Sequence, residues 1–249
     1  MVLLQTPNAA RQNRAAESEE TMESAEKSGP DGGPPRGRFT IVYLIHEAFR
    51  RDLARLSAAV RVPRVDQQRA RRLSAHWEFI NEQLHHHHEV EDAYLWPLVR
   101  PKLSGKDDDL AVLSEMEAQH VTLLPQCGAI GVGFASFTTK ANEKTGQELG
   151  DNLDSLAAHL ASHLDDEERR CFPVIDQALS AEEFESFGKA TAKAIGMRGA
   201  ARFFPWIFDE ADAVERRAVL TMPPPPVRAL CRYVWEPRYK RTVATLWAG

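Results

Sequence analysis

Two stretches of this 249-residue chain carry the same pattern of polar side chains. His87-His88-Glu89-Val90-Glu91-Asp92 runs on to Trp96-Pro97, and His163-Leu164-Asp165-Asp166-Glu167-Glu168 runs on to Phe172-Pro173. Each has a His, a Glu four residues later, a second acid beside it, and an aromatic-Pro pair whose Pro lies six residues after the Glu. Positions i and i+4 of an α-helix stack on one face. Each stretch therefore offers one imidazole nitrogen and one carboxylate oxygen in a single direction, a donor pair that suits a transition metal. Found twice, it reads as half of a two-metal site.

The surrounding residues are helical in period. Four segments keep an apolar stripe at steps of three and four. The first runs Val42, Ile45, Phe49, Leu53, Leu56, Val60, with His46 on its shoulder. The second runs Leu73, Trp77, Ile80, Leu84, then His87 and Glu91, and resumes at Leu95. The third passes through Leu113, Met116, His120, Leu123, Ile130, Phe134 and Phe137, and the fourth through Leu149, Leu153, Leu156, Leu160, then His163 and Glu167. Val/Ile/Thr-rich alternation between tight turns is absent, so the expected class is all-α.

Polar donors standing in mid-stripe are costly, because an unpaired imidazole or carboxylate in an apolar interior loses water and gains nothing. A bound metal removes that cost, and four-helix bundles with inward carboxylates and imidazoles are a known way to hold paired metals. Taken singly, each His/Glu pair could be a surface contact worth a few tenths of a kcal/mol, and His46 or His120 alone a satisfied core histidine. The conjunction argues otherwise: all nine histidines lie between residues 46 and 163, and the two pairs match in register.

The arrangement of His46, His87-x-x-x-Glu91, His120 and His163-x-x-x-Glu167, with its aromatic-Pro endings, resembles the hemerythrin-like (HHE cation-binding) family over about residues 39–180. The resemblance implies an up-down-up-down four-helix bundle around two non-haem irons, carboxylate- and oxo-bridged. It assigns His46 and His87 to one iron, His120 and His163 to the other, and Glu91 and Glu167 as bridges. It also implies a small oxidant as partner (O2, peroxide or nitric oxide), bound or sensed, or else turned over by an enzyme. A helical interaction module with a structural metal is the third reading. Two departures stand out. The position four after His120, a second His in oxygen carriers of this family, is Leu124, and residue 168, their bridging Asp, is Glu, with Glu167 better spaced. His88, Glu89 and His159 are candidates to replace the missing nitrogen, but read first as groups that orient a ligand by hydrogen bonding.

Composition sets the outer limits. Residues 1–37 are rich in small and polar residues and read as a disordered tail; 38–180 form the bundle; 181–249 form a C-terminal helical extension, opened by a capping box at Ser180 and broken at Gly196, Gly199, Pro205 and the prolines from Pro223 on. Its aromatics are expected to pack on the bundle. A net charge of −5 without a basic block disfavours nucleic acid. Apolar runs are too short for a membrane span, and no secretory leader is recognisable. Three widely spaced cysteines fit a reducing cytoplasm, and the resemblance suggests a bacterial one. Nothing identifies a protein partner.

Overall fold

Short links dictate the topology. The computed structural model describes residues 36–247; the expected tail lies outside the described residues except for Arg36 and Gly37. A 3₁₀ turn, Gly37–Phe39, leads into α1, Thr40–Val60. Next come α2, Gln67–Val90, α3, Asp107–Thr139, and α4, Glu143–Asp166. The links 61–66, 104–106 and 140–142 leave room only for antiparallel neighbours. α1 packs on α2 and α4, and α3 packs on the same two. The ring closes into the expected up-down-up-down four-helix bundle, and no strand occurs among the described residues.

Local signals start these helices, the expected box at Ser180 among them. Asp66 accepts the Arg69 N–H at 2.7 Å, and Asn142 with Thr145 and Ser180 with Glu183 form reciprocal capping boxes. Gly146, in the first turn of α4, lets that helix touch the end of α1: an added Cβ would lie 2.3 Å from the Val60 carbonyl oxygen. Pro125 lies inside α3 without ending it. α3 is also long and apolar enough by composition to cross a membrane, the only such helix among the described residues. Counting apolar runs misses this, because Gly, Ala, Ser and Thr dilute a stretch, 118–139, that contains no charged residue.

The stripe on α1 differs from expectation. Leu44, His46 and Ala48 are buried, whereas Val42 and Ile45 are only half-buried. α1 carries two buried faces, one toward the bundle axis and one, Leu44-Ala48-Asp52, toward the C-terminal helices that cover its flank. Those helices are α5, Ala181–Ile207, α6, Ala213–Leu220, α7, Pro225–Leu230, and α8, Glu236–Trp247. α5 breaks at Gly196, where φ is 61°. Gly199 and Pro205 do not break it; Pro205 loses one helical hydrogen bond but is itself buried in the core. Trp206 packs on Phe49 and Phe79 with ring centroids 5.2 and 5.5 Å apart.

Two apolar clusters fill the interior. The larger includes Phe49, Leu56, Trp77, Phe134, Leu153 and Trp206, and the smaller is built on Phe39, Trp96, Leu113, Met116, Phe172 and Ile175. The polar residues singled out from the sequence lie between them.

Candidate metal centre

Both repeated motifs end in a widened turn, and their prolines explain it. α2 continues as a π turn, Glu91–Leu95, then as Trp96–Val99 and a 3₁₀ turn, Arg100–Leu103. α4 continues as a π turn, Glu167–Cys171, then as Phe172–Ala178. Pro97 and Pro173 have no N–H to donate, and their rings crowd the turn before them. The preceding residue donates one position further back instead, Trp96 N–H to the Glu91 carbonyl and Phe172 N–H to that of Glu167. Each π turn thus begins at the Glu of its motif. Such turns commonly mark functional positions in helices.

Six residues were expected to converge, and they do. His46 on α1 is fully buried; its Nε2 lies 3.2 Å from His87 Nε2 and 3.3 Å from Glu167 Oε2. His120 and His163 meet on the other side with ring centroids 4.8 Å apart. Glu91 lies between the groups and faces both: Oε1 is 3.3 Å from His87 Nε2, and Oε2 is 3.5 Å from His120 Nε2.

His88 is the surprise. Its ring stacks on His120 at 4.0 Å and meets His163 edge-on at 5.4 Å. The donor atoms of His88, His120 and His163 form one group within 4.8 Å of one another, and those of His46, His87 and Glu167 form a second. Consecutive helical residues point about 100° apart, so His87 and His88 cannot share a direction. That geometry is why a single-face reading of α2 set His88 aside. The signal that could have found it is the absence of a histidine at Leu124, opposite an extra one on α2. The other two candidates point away: Glu89 is exposed, and His159 pairs through Nδ1 with Gln126 at 2.8 Å.

The backs of the rings are fixed. His46 Nδ1 lies 2.8 Å from Glu168, which Arg50 also holds at 3.0 Å. His120 Nδ1 lies 2.9 Å from Asp92, which in turn accepts the Trp96 indole N–H at 3.1 Å. His163 Nδ1 lies 2.8 Å from the side-chain oxygen of Gln119. With Nδ1 engaged outward, Nε2 of each ring is turned inward, and in His120 and His163 it has no hydrogen-bond partner. Glu168 and Asp92, the second acids of the motifs, therefore act behind the rings, a role that spacing alone does not reveal.

Burial holds several of these groups uncharged. It pushes the His87 pKa down to about 3 and that of His163 to about 4, and carries His88 well below its usual value with the help of neighbouring imidazoles. His46 is different: burial disfavours its charge, but Glu167 and Glu168 outweigh that and raise its pKa. Glu91 is pushed well up by burial and by Glu167. Burial also opposes the charge on Glu167, yet His46 and its fellow imidazoles hold that carboxyl below the usual range.

The chemistry of the donor set can now be tested. His88 Nε2, His120 Nε2, His163 Nε2, Glu91 Oε2 and Glu167 Oε2 are buried without a hydrogen-bond partner. Each such atom costs about 1–3 kcal/mol; three belong to the second group and one to the first, with Glu91 facing both. Clustered imidazoles and a Glu91 carboxyl with its oxygens divided between two groups fit metal cations, and the lack of thiolate in either group points to iron, manganese or zinc. Comparison with curated proteins and with solved structures returns no match. The family model of the hemerythrin HHE cation-binding domain matches residues 39–175, more than half of the chain and the whole of both groups. This chain belongs to the hemerythrin HHE cation-binding family.

Proposed function

We propose that the chain is a non-haem di-iron protein that meets O2, peroxide or nitric oxide in a reducing cytoplasm. His46 and His87 with Glu167 hold one iron, and His88, His120 and His163 hold the other. Glu91 serves both through its two oxygens, and Glu167 is the second bridging candidate. The observation that carries this reading is that five buried, unpartnered donor atoms belong to two adjoining imidazole and carboxyl groups. When bound, iron supplies reversible electron transfer to a small oxidant. The residues supply the rest: imidazoles turned toward the two groups, acids behind the rings that fix their orientation, and apolar clusters on both sides.

His88 brings the second group to three nitrogens, while the first has two. The nitrogen-poorer side, at His46 and His87, is where an exchangeable position belongs, and binding or turnover of an oxidant both need one. The test is anaerobic reconstitution with ferrous iron, then exposure to air. About two irons per chain are expected, with near-ultraviolet oxo-bridge absorption lost in His87→Ala and His163→Ala. Less than one iron per chain without those bands would overturn the reading. Oxygen evolution from peroxide well above that of free iron would favour the enzyme over the carrier or sensor. The three thiols Cys127, Cys171 and Cys231 are unpaired, which suits a reducing compartment.

A further inference from the structure

α3 has a second apolar face, turned away from the bundle. Leu123, Ile130, Phe134 and Phe137 are buried inside. On the opposite side Val121, Leu124 and Val132 are 66%, 53% and 69% exposed, and Gly128 and Ala135 are exposed with them. Successive helical residues turn by about 100°, so these five fall within about 40° of one line along the helix. That line is about 21 Å long at a rise of about 1.5 Å per residue, and residues 118–139 contain no charge. Apolar side chains scattered singly over a surface are ordinary, whereas a continuous uncharged row marks a contact.

The row is symmetric about its centre. Leu124 and Val132 lie four residues either side of Gly128, and Val121 and Ala135 lie seven. A two-fold axis through Gly128, perpendicular to α3, sets Leu124 of each copy on Val132 of the other, and Val121 on the smaller Ala135. Gly128 then stands where the two backbones cross. No contact inside the chain requires that glycine: an added Cβ would meet nothing within 4 Å, and glycine in a helix interior is less stable than alanine. Charge completes the match. Glu117, beside Arg100, precedes the row and Lys140 follows it. Antiparallel copies bring each Glu117 to the Lys140 end of the other, whereas parallel copies would oppose like charges.

We propose that this face of α3 is the contact between two copies of the chain, paired antiparallel about Gly128. The pairing depends neither on the metal centre nor on the di-iron reading. One helix face supplies only part of the roughly 800 Å² per partner of a standard interface, so the dimer is a weak one that dissociates in the micromolar range.

Sedimentation equilibrium of the full chain across that range tests this, and a reversible monomer–dimer equilibrium is expected. Val132→Glu, at an exposed position that the fold does not need, should weaken it roughly thirtyfold or more, the scale of an unpaired charge buried in an interface. Gly128→Leu should weaken it as strongly while the melting temperature of the chain holds or rises. Lys140→Glu should weaken it about twofold to fivefold, and adding Glu117→Lys should recover the loss. Mixed Leu124→Cys and Val132→Cys chains, under a mild oxidant, should cross-link to each other and neither to itself. A monomer at every concentration, a dimer indifferent to both Val132→Glu and Gly128→Leu, or self-linking in place of cross-linking would overturn the proposal. Binding of the native monomer, but not of Val132→Glu, to phosphatidylcholine vesicles would overturn it as well and assign the face to a lipid surface.

Discussion

His87 and His88 are adjacent in sequence yet face different groups, His87 toward α1 and His88 toward α3 and α4. If His88 is the third nitrogen of its group, His88→Ala should reduce bound iron to about one per chain. His159→Ala, which removes an exposed ring engaged with Gln126, should leave iron content unchanged. Equal stoichiometry in the two variants would return His88 to a packing role. The acids behind the rings admit a graded test. Glu168→Gln keeps size and one acceptor but removes the charge facing His46 Nδ1 and Arg50, and groups in such positions typically change metal affinity 10–100-fold. Competition with a chelator should show a loss in that range, with the circular dichroism of the bundle retained. An unchanged affinity would mean that Arg50 and Glu168 only neutralise each other at the surface.

At the scale of the helices, the aromatic-Pro endings turn from punctuation into cause. Each proline forces the turn before it to widen, and that turn starts at a motif glutamate. Cys231–Trp235 repeats the device before Pro237, where Glu236 N–H donates to the Cys231 carbonyl. Pro97→Ala would let residue 97 donate to the Ala93 carbonyl and close the turn to a regular helix. Asp92 and Trp96 would then shift away from His120. Thermal stability is expected to hold or rise while iron affinity falls, and a fall in both would show that the proline matters only for folding. Much of this level was legible in sequence: the cap at Ser180, the stripes of α2, α3 and α4, and six converging residues. What was not legible has physical reasons. Helical periodicity reports one buried face per helix, and α1 has two; it also assigns one direction to each motif, where α2 serves two groups.

The second face of α1 ties the extension to the bundle and lets a distant contact influence the site. Asp52 is fully buried and accepts from Arg51 at 2.7 Å, from His76 at 2.9 Å and from the Trp206 indole at 3.0 Å. Arg51 also donates to the Trp206 and Asp209 carbonyls, and Arg55 binds the Asp209 carboxylate at 2.6 Å. Helices α1, α2 and α5 thus meet at one carboxylate, on the same helix that presents His46. Asp52→Ala leaves those donors buried without an acceptor and should cost about 3–5 kcal/mol in denaturant unfolding. Asp52→Asn keeps the shape and isolates the charge. Burial alone would raise the Asp52 pKa, but the bonds from His76 and Arg51 outweigh it and hold the carboxyl below its ordinary 3.8. A carboxylate depressed in the folded state contributes its full stability above the unfolded value and loses it as pH falls through the folded one. The gap in unfolding free energy between the native protein and Asp52→Asn should therefore be flat near neutral pH and shrink below about pH 4. Because the same contacts set the rotation of α1, Asp52→Asn should also weaken iron binding at neutral pH, where the protein remains folded. A gap that persists undiminished in acid would place the stabilisation in packing of Trp206 rather than in the buried charge.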